Sequence, residues 1–190
     1  VPYESRITTP VVFAKSQMIY SNVAGEILSF SQDGKTESWK VEIPEGYATG
    51  MIEHKGQLWI ASSERKLLCL NLTNGALLWQ AKLKGFCFNG LLSTESGVIV
   101  PSGALSLFSD EGEMIWEKPS TDDEWGFCRS VALVDKKVVA QSQNGELIYA
   151  ELANGSLLKS IKVNGTFRNG VTHYENMTFI SDTSGNFYAI

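Results

Sequence analysis

Long hydrophobic runs are missing from this chain of 190 residues. No apolar stretch approaches the roughly 20 residues a helix needs to cross a bilayer, so no membrane span of that kind is expected. Basic blocks are missing too. Lys and Arg number 16 against 21 Asp and Glu, for a net charge of −5. Phosphate backbones are held by clustered cations, which excludes nucleic acid as the main partner. Cysteine is scarce: Cys69, Cys87 and Cys128 show no CxxC spacing, and the two histidines lie far apart. Zinc needs a tighter cluster, so no metal site is expected. The cysteines read as buried thiols, with a Cys87–Cys128 disulfide as the alternative. No segment sustains a 3.6-residue apolar period with caps, so no helix is expected. No Gly-x-Ser-x-Gly occurs, and no Ser, His and Asp set can be grouped, so no catalytic residue is assigned. There is no signal peptide and the first residue is Val1 rather than Met. The chain is therefore expected to be processed, excised or fragmentary.

What is present is a hairpin, and then the same hairpin again. Arg65 to Leu83 reads RKLLCLNLTNGALLWQAKL. Leu67, Cys69 and Asn71 alternate with Leu68, Leu70 and Leu72. Asn74-Gly75 is a turn dipeptide, and Leu77, Trp79, Ala81 and Leu83 share one face of a second strand. Five hexads like the first half of this unit begin at Gly25, Arg65, Gly103, Gly145 and Gly185, spaced 40, 38, 42 and 40 residues apart. Four are followed by a second turn, Asp33-Gly34, Asn74-Gly75, Glu111-Gly112 and Asn154-Gly155. Trp39, Trp79 and Trp116 come behind three of those turns, and Lys159 stands at that place in the fourth. Ahead of each hexad lies a β-rich run, at Gln17–Ser21, Gln57–Ala61, Gly97–Pro101, Lys137–Gln141 and Met177–Ser181. Ahead of that is another, starting at Pro10, Gly50, Gly90, Ser130 and Gly170, 40 residues apart each time.

Four short strands per unit of this length, joined by tight turns, predict an all-β β-propeller of about five blades with four antiparallel strands each. The chain reads as a single repeat domain over 1–190. Its last blade is expected to be incomplete, because Ile190 closes the fifth hexad before any outer strand. Val1 to Ile7 correspond to Val41 to Tyr47. They either help close a five-bladed ring or belong to an arc of a larger propeller, and the arc is the expectation.

The pattern Gly-x-Leu-x-x-Leu, then Asn/Asp-Gly, then Gly-x-x-x-Trp resembles the pyrroloquinoline-quinone-type propeller repeat with its tryptophan-docking motif. Lys66 to Trp79 carries it best, with Leu70-Asn71-Leu72-Thr73-Asn74-Gly75 where the family has Leu-Asp-x-x-Thr-Gly. The resemblance covers about Pro10 to Ile190. It implies that the tryptophans dock against the neighbouring blade, and it favours an extracytoplasmic compartment, periplasmic or secreted. The family's enzymes hold a quinone and a calcium ion with acidic and amide side chains, and many carry adjacent cysteines. This chain has no Cys-Cys pair and no acid at the inner-strand starts, so no cofactor is expected. WD40 and kelch repeats are disfavoured, since no Gly-His, Trp-Asp or Gly-Gly pair recurs.

Several further residues were weighed for chemistry. His54 and His173 read as solvated turn residues. Asp122-Asp123-Glu124 reads as a solvated loop, and Glu26 and Glu146 as edge charges. Four sequons begin at Asn71, Asn154, Asn164 and Asn176; Asn154 sits in a turn that wants Asn anyway, and Asn71 stands at a motif position. One constellation remains, in the loop before each inner strand. Tyr47, Cys87, Phe127 and Phe167 share one register and read as inner-edge packing. The next holds Ala48, Phe88, Cys128 and Arg168, and the next Thr49, Asn89, Arg129 and Asn169. In a propeller these loops face the channel mouth. Thr49, Phe88, Asn89, Arg129, Arg168 and Asn169 are therefore the candidate ligand-binding residues. Arg129 would act as an anion clamp, Asn89 and Asn169 as orienting amides, and Phe88 as an apolar wall. The expected function is a non-catalytic scaffold for a protein or peptide partner. The alternatives are a segment of a quinoprotein-type oxidoreductase whose cofactor residues lie elsewhere, and a carbohydrate-binding propeller.

Overall fold

Each 40-residue period folds into its own antiparallel sheet, and within each compact unit hydrophobic layers form between successive sheets. The computed structural model describes residues 6–44, 46–88, 90–119, 126–127 and 131–190. Among them there is no helix. The first sheet is β1 (Val12–Ala14), β2 (Gln17–Ser21), β3 (Glu26–Ser31) and β4 (Glu37–Glu42). The second is β5 (Ala48–His54), β6 (Gln57–Ser62), β7 (Lys66–Asn71) and β8 (Leu77–Lys82). The third is β9 (Leu92–Thr94), β10 (Gly97–Ser102), β11 (Ala104–Phe108) and β12 (Met114–Pro119). The fourth is β13 (Val131–Val134), β14 (Lys137–Gln141), β15 (Glu146–Glu151) and β16 (Leu157–Lys162). The fifth has three strands, β17 (Thr172–Tyr174), β18 (Met177–Ser181) and β19 (Phe187–Ala189). The blades group into two compact units, Val1–Leu83 with the first two sheets and Lys84–Ile190 with the other three.

The middle strands lie where the β-rich runs and hexads place them. The inner strands shift. β1, β9, β13 and β17 start one or two residues later than the 40-residue register, and β5 starts earlier, across an irregularity between Ala48 and Gly50 that lengthens its pairing with β6. Ile7 bridges Asn22 at the inner edge of the first blade, where Tyr47 sits in the second. Val1 to Ser5, which the arc and ring alternatives both invoke, lie outside the described residues, as does the Asp122–Trp125 loop.

Middle strands are apolar on both faces because both faces are covered. In the first unit Ile19, Ile27, Trp39 and Ile43 of blade one meet Leu58, Ile60, Leu68 and Leu70 of blade two. In the second unit the period-2 alternation divides β14. Val138 and Ala140 join Ile99, Leu105, Leu107 and Trp116 of blade three, while Val139 joins Phe167, Val171 and Ile180 of blade five. Each such side chain contributes about 1.5–3 kcal/mol by leaving water.

The tryptophans lock these layers. Trp39 Nε1 donates to Leu72 O of the next blade at 3.0 Å, and Trp116 Nε1 to Leu152 O at 2.8 Å. Both indoles are buried. Each lies on the glycine of the next outer turn: a Cβ on Gly75 would stand 2.7 Å from Trp39 Cε3, and one on Gly155 2.7 Å from Trp116 Cε3. Trp79 is only half-buried, set edge-on against Trp59 with ring centroids 4.6 Å apart. In blade four Lys159 Nζ lies over the Tyr149 ring, 5.8 Å from its centroid. There the tie to blade five is the Tyr149 hydroxyl, 2.7 Å from Thr178 Oγ1.

His54 corrects the expectation of a solvated turn residue. It is 1% exposed at the end of β5, its ring perpendicular to Trp59. His173 is half-buried, bonded through Nδ1 to Thr178 Oγ1 and through Nε2 to Glu175 O. The turn before four of the five hexads has a device the sequence pattern conceals: a buried Asn22, Ser62, Ser142 or Asp182 whose side-chain oxygen accepts the N–H of residue 26, 66, 146 or 186. These acceptors let the next residues turn through the left-handed region, Arg65 included at φ 56°.

Two outcomes follow for stability. Trp116→Ala should lower the unfolding free energy by about 3–5 kcal/mol in denaturant titrations, and the half-exposed Trp79→Ala by visibly less. Gly155→Ala, at φ +69° beneath the indole, should cost more than about 1 kcal/mol. An unchanged midpoint in Gly155→Ala would show that the indole does not rest on this turn. The Asp182 carboxyl is held below the usual aspartate range, chiefly by the Asn186 amide, with help from backbone N–H groups and the Tyr188 hydroxyl and against the effect of burial. A depressed folded value means that the clamp contributes fully above the ordinary aspartate pKa of about 3.9 and is lost as pH falls through the folded value. Acid melts should therefore show blade five loosening below about pH 4, and Asp182→Asn should flatten that dependence.

Candidate functional site

The loops ahead of the inner strands are positioned by backbone bonds to a neighbouring turn, of the same blade in blade two and of the preceding blade in blades four and five. Ser63 N–H donates to Tyr47 O, Phe127 N–H to Gly103 O, and Phe167 N–H to Gln143 O at 2.8 Å. These bonds press the aromatic register inward. Phe127 and Phe167 are each 1% exposed and Cys87 is fully buried, as expected of inner-edge packing, whereas Tyr47 is 40% exposed.

In the first unit, Thr49 is buried on β5 and donates through Oγ1 to Ala61 O at 3.2 Å. One period earlier Thr9 occupies the same place, a fifth member of the polar register that the sequence reading left out. Its Oγ1 lies 3.0 Å from Ser21 Oγ, and Thr8 Oγ1 reaches the same hydroxyl at 2.7 Å. In the second unit, Asn169 is exposed and donates through Nδ2 to Ser181 Oγ at 2.9 Å. Thr9, Thr49 and Asn169 thus do one job: each ties the start of the inner strand to the end of the second strand of its own blade.

The remaining candidates fall in the second unit. Phe88 is half-buried and stacked on Phe86, ring centroids 5.8 Å apart. Arg168 is exposed beside the buried Phe167. Asn89 and Arg129 lie outside the described residues, as does Cys128 of the disulfide alternative. The place held by Ser21, Ala61 and Ser181 in other blades is Gln141 in blade four. Its amide oxygen and nitrogen are both buried with no hydrogen-bond partner among the described residues. An unanswered amide of this kind calls for a donor and an acceptor at that place.

Among the described residues no group of three His, Cys, Asp or Glu side chains is placed to hold a metal ion. Glu26, read as an edge charge, accepts from Asn22 Nδ2 at 2.6 Å and pairs with Lys40. The sequon residues Asn71 and Asn154 accept turn N–H bonds from Thr73 and Ser156.

A family model described as outer membrane protein assembly factor BamB matches residues 23–190. The curated BamB of Alkalilimnicola ehrlichii is 30% identical over 100 residues, which are 52% of this chain and 24% of that protein. Among solved structures, BamB from Moraxella catarrhalis superposes with a TM-score of 0.84 at 15% identity, covering 98% of this chain and 61% of that one. The computationally designed Ika8 protein superposes at 0.69 with 12% identity, covering 98% and 71%. The chain therefore spans about a quarter of the curated relative and less than two thirds of the Moraxella protein. The likeness to the solved structures shows a β-propeller fold. With the matched repeats of residues 23–190, the chain belongs to the BamB family of PQQ-like repeat proteins.

Proposed function

We propose that this chain is a non-catalytic propeller scaffold that binds protein partners during outer-membrane protein assembly, in an extracytoplasmic compartment. The observation that carries this reading is the family match across residues 23–190, on a chain whose blades are built from plain repeated strands. Such blades present rigid loops and strand edges, which suits recognition of other chains. The loops ahead of the inner strands are the first contact surface, with Phe88, Arg168, Asn89 and Arg129 as its members. Asn169 supports it through its strand tie to Ser181. The unanswered Gln141 amide in the same register supports a polar contact there.

The test uses a urea-unfolded outer-membrane β-barrel protein, diluted onto the immobilised chain and followed by surface plasmon resonance. Arg129→Ala with Arg168→Ala should weaken binding by about tenfold, the loss of charge-assisted contacts, with the melting temperature unchanged. No binding by the unaltered chain would overturn the assembly role. Full affinity of the double variant would move the contact surface away from these loops.

A further inference from the structure

Of the four outer strands, β16 departs from the others. β4 reads ESWKVE, β8 LLWQAK and β12 MIWEKP, whereas β16 reads LLKSIK. It carries two lysines and no acid, on a chain whose net charge is −5. Five of its six residues are exposed, Leu157 at 46% and Leu158 at 47% among them. It ends its sheet, and among the described residues no strand pairs with its outer edge.

Blade four has also released the residue that blades one and three use for docking. Lys159 stands at the tryptophan position, and Tyr149 makes the bond to Thr178 instead. The lysine is therefore a cation held on an open edge by the face of Tyr149. Lys162 donates to Asn144 Oδ1 at 3.1 Å and keeps further N–H donors. The backbone is equally open. Val163 N–H donates inward to Gly145 O, so by the alternation of an antiparallel ladder Lys159 and Ile161 also turn their backbone groups inward. Ser160 and Lys162 turn theirs out, while Leu158 sits at the register shift between Tyr149 and Ala150. Such an edge is a template for another strand.

We propose that the outer edge of β16 docks an extended segment of a protein partner that is acidic in its first half and apolar in its second, paired antiparallel to Leu157–Lys162. Acids would then oppose Lys162 and Lys159, and apolar side chains would cover Leu157 and Leu158. A second copy of β16 is a poor occupant, since two copies would gather four lysines on one ribbon with no acid to answer them. This inference rests on the reading of the chain as a protein-binding scaffold and names one partner chemistry for it.

The probe is a short fluorescent peptide whose first half carries glutamates and whose second half carries valines and leucines, with a lysine-for-glutamate peptide as control. Fluorescence anisotropy on the full chain should show binding of the acidic peptide alone. Lys159→Glu with Lys162→Glu should weaken it by about tenfold or more. Ser160→Pro removes an outward N–H and spares the β15–β16 ladder, so it should abolish binding at an unchanged melting temperature. Arg129→Ala with Arg168→Ala should bind as the unaltered chain does. The proposal is overturned if the acidic peptide does not bind, if both peptides bind alike, or if both β16 variants keep full affinity. It is also overturned if the peptide is lost only from the Arg129, Arg168 variant, an outcome that leaves the scaffold reading standing. Peptide binding at β16 without capture of the unfolded barrel protein would sink the assembly role and leave this edge site intact.

Discussion

An indole that closes over the outer turn of the following blade is the contact on which the rest of the structure depends. Trp39 and Trp116 each combine a large buried area, a hydrogen bond to a carbonyl that the strand ladder leaves unanswered, and a seat that only glycine provides. A sheet of this kind cannot bury both faces alone, so stability arises at the junctions between blades. The Asn-Gly turn and the tryptophan, two marks of one sequence period, are the two halves of a contact made between periods.

Much of the fold was legible because forty-residue self-similarity is a coarse signal that survives local variation. Hexads, turns and second strands sit where the pattern puts them, since their apolar alternation and their left-handed turn residues are dictated locally. The inner strands were misplaced by one or two residues because their starts are set by side-chain ties such as Thr49 to Ala61 O, which no local propensity reveals. The buried acceptors before four of the hexads were missed for a related reason. Asn22, Ser62, Ser142 and Asp182 share an oxygen in the right place and no residue type.

The candidate site was harder to read than the fold. The polar register suggested a ligand, yet Thr49 and Asn169 act on their own blades, and Thr9, which gives the pattern away, was not aligned with them. A small polar residue repeated once per period fits a structural tie as well as a rim of contacts. Only the bond partners separate the two. His54 misled in the same way: a histidine beside a hairpin turn looks solvated until the tryptophan three residues beyond that turn is seen to cover it.

The indole contact also has a direction. Blades one and three offer the plug at their outer strands, and it enters the socket at the outer turn of blades two and four. Plug and socket recur at the same points of the forty-residue period. Such a stretch can be duplicated or deleted during evolution while every donor still finds its carbonyl, whereas a cut of any other length strands an indole without a turn to rest on. Blade number is therefore an easy quantity for this family to change, and blade length a hard one.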